Sequence, residues 1–397
     1  MFYFDHNATT PTKPEVLEVV RRTERDFFGN PSSLHSFGRK ARALLEEGRE
    51  KLGELLGVRG AELVFTSGGT EANRLAIEGA LERVKGSSCH AVVSAIEHPS
   101  VLEVYEHLGS GGWLETTLVP AGEDGGVRPG SLLAALRSGT RLISLQHANN
   151  ETGVIQDVPG LVEGLRERAE DLPLVHVDAV QSFGKLEVRP RDLGADLVAL
   201  SSHKVGGPKG AGVLWIKPGR GYVPPLRGGP QERRMRPGTE NLPAVLGFVC
   251  AAELALEALP LDSLRDEPGT DDDSAERPAA AVRLRQLLER KVPRVRFNGG
   301  PEGVLPNTVN VSFEGVQAEL LVIRLDQEGV AVSTGSACAS GSREPSHVLV
   351  AMGLAPERVQ SAVRFSTGWT TREGEIEDVV EVVQRVVEEL RERRTSS

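Results

Sequence analysis

Two kinds of hydrophobic pattern alternate along the chain. In residues 37–56, leucines and alanines recur at near-helical spacing and Gly57 follows, which predicts a helix that ends at this glycine. A second apolar helix is predicted for residues 242–259. Short continuous apolar runs predict buried strands, at residues 62–66, 91–94, 142–145, 174–177, 197–200 and 213–216.

Helical segments separate most of these strands, and one helix is predicted to start near Thr70. This alternation predicts an α/β layer with a largely parallel sheet. Residues 262–278 are rich in Asp, Glu, Pro and Gly, which is typical of a surface linker. A smaller α+β unit is predicted after it, with helices at 279–291, 317–328 and 373–393, strands at 308–313, 330–333 and 362–366, and a polar loop up to Glu344.

Composition narrows the class of protein. With 397 residues, 39% of them hydrophobic and 26% charged, the chain is expected to be globular with two or three domains. The net charge of −10 argues against nucleic-acid binding. The three cysteines form no Cys-x-x-Cys pair, and neither a secretory signal nor a run of roughly 18 apolar residues is visible. We expect a cytoplasmic protein with no disulfide framework, metal site or membrane span.

Two charged residues lie at the ends of predicted strands. Lys204 follows the strand at 197–200 and precedes a Gly-rich stretch, and Asp178 follows the strand at 174–177. Because α/β sheets bind ligands at the carboxyl ends of their strands, both side chains are candidates for a site there. Taken singly, a lysine in a Gly-rich loop is more often solvated, and a lone aspartate more often caps a helix.

Three further polar stretches follow apolar runs in the same way. Residues 67–70 read Ser-Gly-Gly-Thr at a predicted helix start, where free N–H groups and hydroxyls form an anion site, although a plain capped turn has the same pattern. His98 lies in Glu-His-Pro-Ser and Asn150 in Asn-Asn-Glu-Thr-Gly. Solvated turns are the ordinary alternative for both residues.

Together these stretches supply a lysine, an acid, an anion site and a histidine in one series of strand ends. Pyridoxal phosphate requires such a set: a lysine for its aldehyde, an acid at its pyridine nitrogen, donors for its phosphate and a group over its ring. The joint placement, rather than any single stretch, therefore favours a pyridoxal-phosphate site.

The same stretches belong to longer motifs that resemble the aminotransferase class V family, and closely its cysteine desulfurase branch of the NifS/IscS type. The matching motifs run nearly end to end, at residues 7–11, 28–33, 65–71, 149–153, 176–182, 202–204, 236–239, 333–338 and 363–366. The resemblance implies the PLP-transferase fold type I. It places a large domain at 15–258, with a mostly parallel seven-stranded sheet flanked by helices, and a smaller α+β domain at 1–14 and 259–397.

The resemblance also implies a role for each matching residue. Lys204 forms the Schiff-base link to the cofactor, Asp178 pairs with the pyridine nitrogen, and Gln181 bonds the ring hydroxyl. His98 stacks over the ring. The implied phosphate contacts come from Gly69, Thr70, Ser201, His203 and Thr239, with Thr239 serving the neighbouring subunit. The implied substrate contacts come from Asn30, Asn150 and Arg364, with Asn150 also near the cofactor and Arg364 gripping the α-carboxylate as a bidentate fork.

Cys338 lies in a small, polar stretch that runs from Ser333 to Pro345. Buried structural cysteines usually lie in apolar runs, as Cys250 does, so Cys250 is expected to pack in the core and Cys89 to have no role. A thiolate is the group that can attack a sulfur atom, and the resemblance makes Cys338 the catalytic cysteine. The alternative is an inert loop thiol.

The reaction implied is removal of sulfur from L-cysteine, which leaves L-alanine and a persulfide on Cys338. Lys204 would remove the α-proton and His98 would donate or accept a proton. A homodimer is implied, with delivery of sulfur to an iron–sulfur scaffold or a tRNA-thiolation protein. The alternatives are an aminotransferase, which needs no such cysteine, a selenocysteine lyase, a cysteine β-lyase, and a non-catalytic platform for sulfur-transfer partners.

Overall fold

The computed structural model describes residues 1–168, 172–259, 280–334 and 345–395. The predicted linker at 262–278 and the stretch that contains Cys338 therefore lie outside the described residues. The helices are α1 (Pro14–Asp26), α2 (Ser36–Leu56), α3 (Gly69–Leu81), α4 (Pro99–Ser110), α5 (Pro129–Ala134), α6 (Val158–Arg166), α7 (Leu242–Glu257), α8 (Ala280–Lys291), α9 (Ala318–Gln327), α10 (His347–Ala351), α11 (Pro356–Gln360) and α12 (Glu373–Thr395). The strands are β1 (Phe2–Tyr3), β2 (Leu63–Thr66), β3 (Cys89–Ser94), β4 (Leu114–Val119), β5 (Thr140–Ser144), β6 (Leu174–Asp178), β7 (Leu197–Ser201), β8 (Gly212–Ile216), β9 (Val295–Phe297), β10 (Thr308–Phe313), β11 (Val330–Ala331) and β12 (Ala362–Ser366).

Within the described residues, seven strands form one large sheet in the order β2-β8-β7-β6-β5-β3-β4. Only β8 runs antiparallel to its neighbours, β2 and β7, and the other four pairs are parallel. The predicted α/β class with a largely parallel sheet is thus confirmed. As a consequence, β2, β3, β5, β6 and β7 all end at the same edge of the sheet.

The central strands are buried along their whole length, as a sheet covered by helices on both faces requires. Every residue of the inner strands β3, β6, β7 and β8 is buried, and so is every residue of the edge strand β2. Helices α1, α2 and α7 pack together, while α3 packs on β7 and β8. The short apolar runs were therefore correctly interpreted as strands, since side chains on both faces of such a sheet meet apolar neighbours.

Helix α2 confirms the clearest prediction from the pattern. It starts at Ser36 and ends at Leu56, and Gly57 follows with φ +66, a left-handed conformation that favours glycine. The hydrophobic pattern did not single out α1, α4 or β4. For β4 the reason is that only its first and last residues are buried, so it has no continuous apolar run.

A second apolar core lies in the C-terminal part of the chain. It combines the antiparallel strands β9, β10 and β12 with α8, α9 and α12, and Phe4 from the N-terminus is part of it. The strand predicted at 330–333 is shorter than expected, because β11 pairs only with the two residues of β1. The domain boundaries at 14/15 and 258/259 stay a prediction. Across the described part of the chain, no helix is long and apolar enough to cross a membrane.

Candidate active site

A cavity of about 240 Å³ opens at the shared carboxyl edge of the large sheet. Strands β2, β3, β5, β6 and β7 each contribute a polar side chain, from the last residue of the strand or from the residues that follow it. Residues predicted from the sequence that line the cavity are Gly69, Thr70, His98, Asn150, Asp178, Gln181, Ser201, His203 and Lys204. Strand ends far apart in sequence are thereby brought to one site, as their common edge predicted.

Four predicted residues do not line this cavity. Asn30 and Thr239 are exposed, and the Asn30 Oδ1 accepts a hydrogen bond from the Ser32 backbone N–H at 2.8 Å. Arg364 is buried beside the cavity, where its Nη1 donates to the Asn150 carbonyl oxygen at 2.9 Å. Cys338 lies outside the described residues. The roles given to these four residues stay predictions.

Lys204 ends a short 3-10 turn that directly follows β7. Its Nζ donates to the carbonyl oxygens of Asn7 at 2.6 Å and Ala8 at 2.8 Å. The N-terminal segment therefore crosses the carboxyl edge of the sheet and contacts the lysine. This places a primary amine in the cavity with acceptors that hold its hydrogens.

Asp178 is the last residue of β6, and it is buried. Its Oδ2 accepts a hydrogen bond from Asn73 Nδ2 at 2.7 Å, and its Oδ1 accepts one from the Val180 backbone N–H at 2.9 Å. Asn73 lies on α3, and its Oδ1 is 3.1 Å from His176 Nε2. The carboxylate is thus held in one orientation at the base of the cavity.

His98 caps the N-terminus of α4, which has Pro99 in its first turn. The His98 Nδ1 accepts a hydrogen bond from the Ser100 backbone N–H at 3.0 Å. Burial lowers the pKa of His98, Asp178 opposes this effect, and Lys204 adds to it. The imidazole is therefore neutral at neutral pH, and because Nδ1 is the acceptor we assign its proton to Nε2.

The part of the cavity lined by Gly69 and Ser201 has the features of an anion site. Helix α3 begins at Gly69, and a Cβ at this position would lie 2.7 Å from Val180 Cγ2. The Ser201 hydroxyl faces the same cavity, is buried, and has no hydrogen-bond partner among the described residues. A buried hydroxyl without a partner costs about 1–3 kcal/mol, which a bound anion at this helix start would offset.

His203 lies beside this end of the cavity. Its Nδ1 is 3.1 Å from Thr9 Oγ1, and burial lowers its pKa to about 4, with further lowering by Lys204 and Lys209. A neutral imidazole is expected there at neutral pH. As a neutral group it can serve a phosphate only through a ring N–H.

Asn7 is a central residue of the site that the strand-end analysis missed. It lies far from any strong strand pattern, and the only signal was its place in the motif at 7–11. Its backbone and side chain form hydrogen bonds with seven residues, which are Asn150, Gln181, Lys185, Lys204, Asn307, Thr308 and Ser366. Through these contacts the N-terminal segment joins the large sheet to β10 and β12.

The described residues on either side of 335–344 are held by hydrogen bonds to other segments of the chain. On one side, Ser333 and Arg364 exchange backbone hydrogen bonds. On the other side, Ser346 Oγ donates to Glu151 Oε2 at 2.5 Å, and His347 Nε2 donates to the carbonyl oxygen of Glu97 at 2.9 Å. Glu151 and Glu97 are the sequence neighbours of Asn150 and His98, which line the cavity, and Arg364 donates to the Asn150 carbonyl oxygen.

A family model described as Aminotransferase class-V matches residues 2–379. Among curated proteins, the chain is similar to cysteine desulfurase IscS of Dictyoglomus turgidum. The two are 40% identical over 394 residues, which cover 98% of this chain and 95% of that protein.

Solved structures show the same likeness. A NifS-like protein superposes with a TM-score of 0.87 at 32% identity, over 98% of this chain and 99% of the other. A structure described as SspA in complex with cysteine superposes with a TM-score of 0.78 at 32% identity, over 92% of this chain and 98% of the other. The similarity therefore extends across both apolar cores.

Proposed function

The chain belongs to the aminotransferase class-V family, and we propose that it is a cysteine desulfurase that uses pyridoxal 5'-phosphate. The enzyme takes the sulfur of L-cysteine and leaves L-alanine. The observation that carries this proposal is the position of Lys204 at the end of β7, in one cavity with Asp178, Gln181 and His98.

The residues of the cavity fit the cofactor at both of its ends. The buried Ser201 hydroxyl and the start of α3 at Gly69 suit a phosphate, and the buried Asp178 carboxylate suits a protonated ring nitrogen. When bound, pyridoxal phosphate would supply an aldehyde that links to amines and a ring that withdraws electrons from the substrate α-carbon. Lys204 is the residue that would hold it covalently.

Lys204 and His98 are the groups that move protons in this proposal. Lys204 Nζ takes the proton from the substrate α-carbon, and the carbonyl oxygens of Asn7 and Ala8 orient its remaining hydrogens. His98 carries its proton on Nε2, because Ser100 occupies Nδ1, so Nε2 is the atom from which a proton can be delivered.

Asn150 and Arg364 would hold the substrate in place. A guanidinium binds a carboxylate through two parallel N–H groups, and Arg364 is buried directly behind Asn150. Asn30 is proposed to contribute to the same binding site.

Cys338 is proposed to accept the sulfur. A cysteine thiolate attacks the substrate sulfur and keeps it as a persulfide. On either side of its stretch, Ser333 bonds Arg364 and Ser346 bonds Glu151. Both partners adjoin Asn150, which lines the cavity, and this supports delivery of the thiol to the substrate.

The proposal also includes the protein's partners and its cellular location. We propose a homodimer in which Thr239 reaches the phosphate site of the neighbouring subunit. An iron–sulfur scaffold or a tRNA-thiolation protein would take the persulfide sulfur, and the sparse cysteines favour the cytoplasm.

The test uses purified enzyme loaded with pyridoxal phosphate, L-cysteine and a thiol reductant. We expect equal amounts of alanine and sulfide, and a persulfide on Cys338 when the reductant is left out. The Cys338→Ser variant should lose both products, whereas the matched variant Cys250→Ser should keep them. Pyruvate in place of alanine would mean a β-lyase, and release of sulfur by Cys338→Ser at the native rate would rule out Cys338 as acceptor.

A further inference from the structure

Lys185 lies one turn beyond Gln181 in the segment that follows β6. The preceding Gly184 has φ +71, and a Cβ there would lie 2.6 Å from Val205 Cγ1, so this turn requires glycine. The turn brings Lys185 Nζ to 2.8 Å from Gln181 Oε1 and 2.9 Å from Asn7 Oδ1. Lys185 thus joins a residue that lines the cavity to the segment that contacts Lys204.

The donors and acceptors around Gln181 are consistent with a single orientation of its amide. Lysine has only donors, so the atom of Gln181 that faces Lys185 must be the oxygen. The Gln181 Nε2 then donates to the Asn7 carbonyl oxygen at 2.9 Å. A rotated amide would place donor against donor at Lys185 and acceptor against acceptor at Asn7. The second hydrogen of Gln181 Nε2 remains for the cavity that this residue lines.

We propose, on the basis of the function proposed above, that Lys185 is a positioning residue for the cofactor. It holds the amide of Gln181 so that an N–H group, and not the carbonyl oxygen, meets the ring oxygen of pyridoxal phosphate. Lys185 acts through Gln181 and touches neither cofactor nor substrate.

Lys185 lies near two other cationic side chains, Lys204 and Arg364. Burial lowers its pKa well below the usual range of a lysine, and Lys204 and Arg364 lower it further. Its amine donates to two acceptors, Asn7 Oδ1 and Gln181 Oε1.

The role predicts a spectroscopic change that a purely structural lysine would not cause. A donor to the ring oxygen stabilises negative charge on that oxygen and so weakens its attraction for the proton of the Lys204 linkage. Without the donor, the linkage should keep this proton to higher pH. Loss of one charge-assisted hydrogen bond corresponds to a shift of about one pH unit.

The experiment is a pH titration of the visible absorbance of the loaded enzyme, in the absence of L-cysteine. The variants are Lys185→Met, Gln181→Leu and the two combined. We expect each single variant to raise the midpoint by about one pH unit. The combined variant should match Gln181→Leu, because without the amide Lys185 has nothing to orient.

Lys185→Arg, which keeps the donors, should titrate close to wild type, and so should Lys40→Met, which removes an exposed lysine. An unshifted midpoint in Lys185→Met would overturn the proposal. A shift of equal size with and without the Gln181 amide would also overturn it, because it would indicate a direct effect of the Lys185 charge on the cofactor linkage. If Lys185→Met fails to fold, Lys185→Ala, which also removes the donor, is titrated in the same two backgrounds with the same criterion.

The outcome separates this inference from the proposed function. The titration needs no turnover. If the midpoint shifts of the Lys185 and Gln181 variants are coupled but the enzyme forms no alanine, only the desulfurase proposal is overturned. Alanine formation without the coupling would overturn the role of Lys185 alone. An enzyme with no absorbance that depends on Lys204 would overturn both.

Discussion

Arg364 Nη2 lies 2.6 Å from Asp5 Oδ1, so the arginine expected to bind substrate already forms an ion pair within the chain. The guanidinium is buried, and its Nη1 donates to the Asn150 carbonyl oxygen. Its Nε is buried and has no partner within the described residues. Asp5 and Asn150 thus hold the guanidinium in one plane, and its Nε–H remains for another acceptor.

The first prediction concerns this ion pair. Asp5→Asn keeps the shape of the side chain but leaves the Arg364 charge buried without its partner, which should lower the free energy of unfolding by about 3 kcal/mol. Because the guanidinium also loses its orientation, KM for L-cysteine should rise about tenfold, with a smaller change in kcat. Urea denaturation and steady-state kinetics measure the two effects.

Asp26→Asn is the matched control, because the Asp26 pair with Arg25 is exposed and such pairs contribute little. Its stability and KM should equal those of wild type. A fall in KM for Asp5→Asn would contradict the orienting role and would mean that Asp5 competes with the substrate for Arg364.

The second prediction concerns Lys204. Lys204→Ala removes the amine that should link the cofactor and move the α-proton, so kcat should fall by about 10²–10⁴-fold or more. The absorbance of the linked cofactor should also be lost, as measured by a spectrum of the loaded protein. Lys209→Ala, which removes an exposed lysine five residues later, should keep both. An intact spectrum and alanine formation in Lys204→Ala would mean that the lysine is wrongly assigned.

The third prediction is a pH dependence that comes from Glu97. This residue is fully buried, and burial raises its pKa from 4.5 to about 8, with Asp178 raising it further and the Gln146 backbone N–H opposing. Between pH 4.5 and 8 the folded protein holds a proton that the unfolded chain releases, so this contribution to stability is lost as the pH rises. The slope is about 1.4 kcal/mol per pH unit for one proton.

The Gln146 backbone N–H donates to Glu97 Oε1 at 2.6 Å. The Glu97→Gln variant keeps an oxygen that can accept this hydrogen bond, but its side chain cannot ionise. The variant should therefore gain stability relative to wild type as the pH rises from 5 to 8, measured by urea denaturation at several pH values. Glu103→Gln on the exposed face of α4 should show no such gain. Parallel curves for wild type and Glu97→Gln would contradict a raised pKa.

The fourth prediction concerns the buried ion pair between Arg49 and Glu232. Arg49 Nη2 lies 2.6 Å from Glu232 Oε1, and Glu232 Oε2 also accepts from the Phe65 N–H. Residues 232–234 all have positive φ, a strained conformation that this pair ties to β2. Arg49→Met leaves a buried carboxylate without its cation and should cost about 3–5 kcal/mol.

The double variant Arg49→Met/Glu232→Gln should lose less stability than the sum of its single variants, because no charge remains buried without a partner. Arg74→Met, which removes a more exposed ion pair, should cost about 0–1 kcal/mol. Chemical denaturation of wild type, Arg49→Met, Glu232→Gln and the double variant tests the coupling. Additive losses would show that the two charges do not depend on each other.

The strands and the polar residues that follow them were predictable because their sequence signals are local. Each central strand is a run of apolar residues buried on both faces, and each is followed within a few residues by its polar side chain, as β7 is by Lys204 and β6 is by Gln181. The rule that parallel strands present their carboxyl ends at one edge then places these side chains together without knowledge of the tertiary structure.

The contacts that orient those side chains were not predictable. Asp5 and Arg364 are separated by 359 residues in the chain, and Asn7 and Lys204 by 197. The segment that contains Asp5 and Asn7 has no long hydrophobic pattern, so its path across the carboxyl edge of the sheet is decided by packing against β10 and β12.

The sequence by itself thus determined the fold class, the family and the residues at the strand ends, because periodicity and motifs are properties of neighbouring residues. Only the tertiary structure decided that Lys185 faces Gln181, that Asp5 holds Arg364 and that Asn7 joins Lys185 and Gln181 to Lys204. Hydrogen bonds of this kind depend on distances of about 3 Å between atoms, and chain segments far apart in sequence reach such distances only when the whole core is packed.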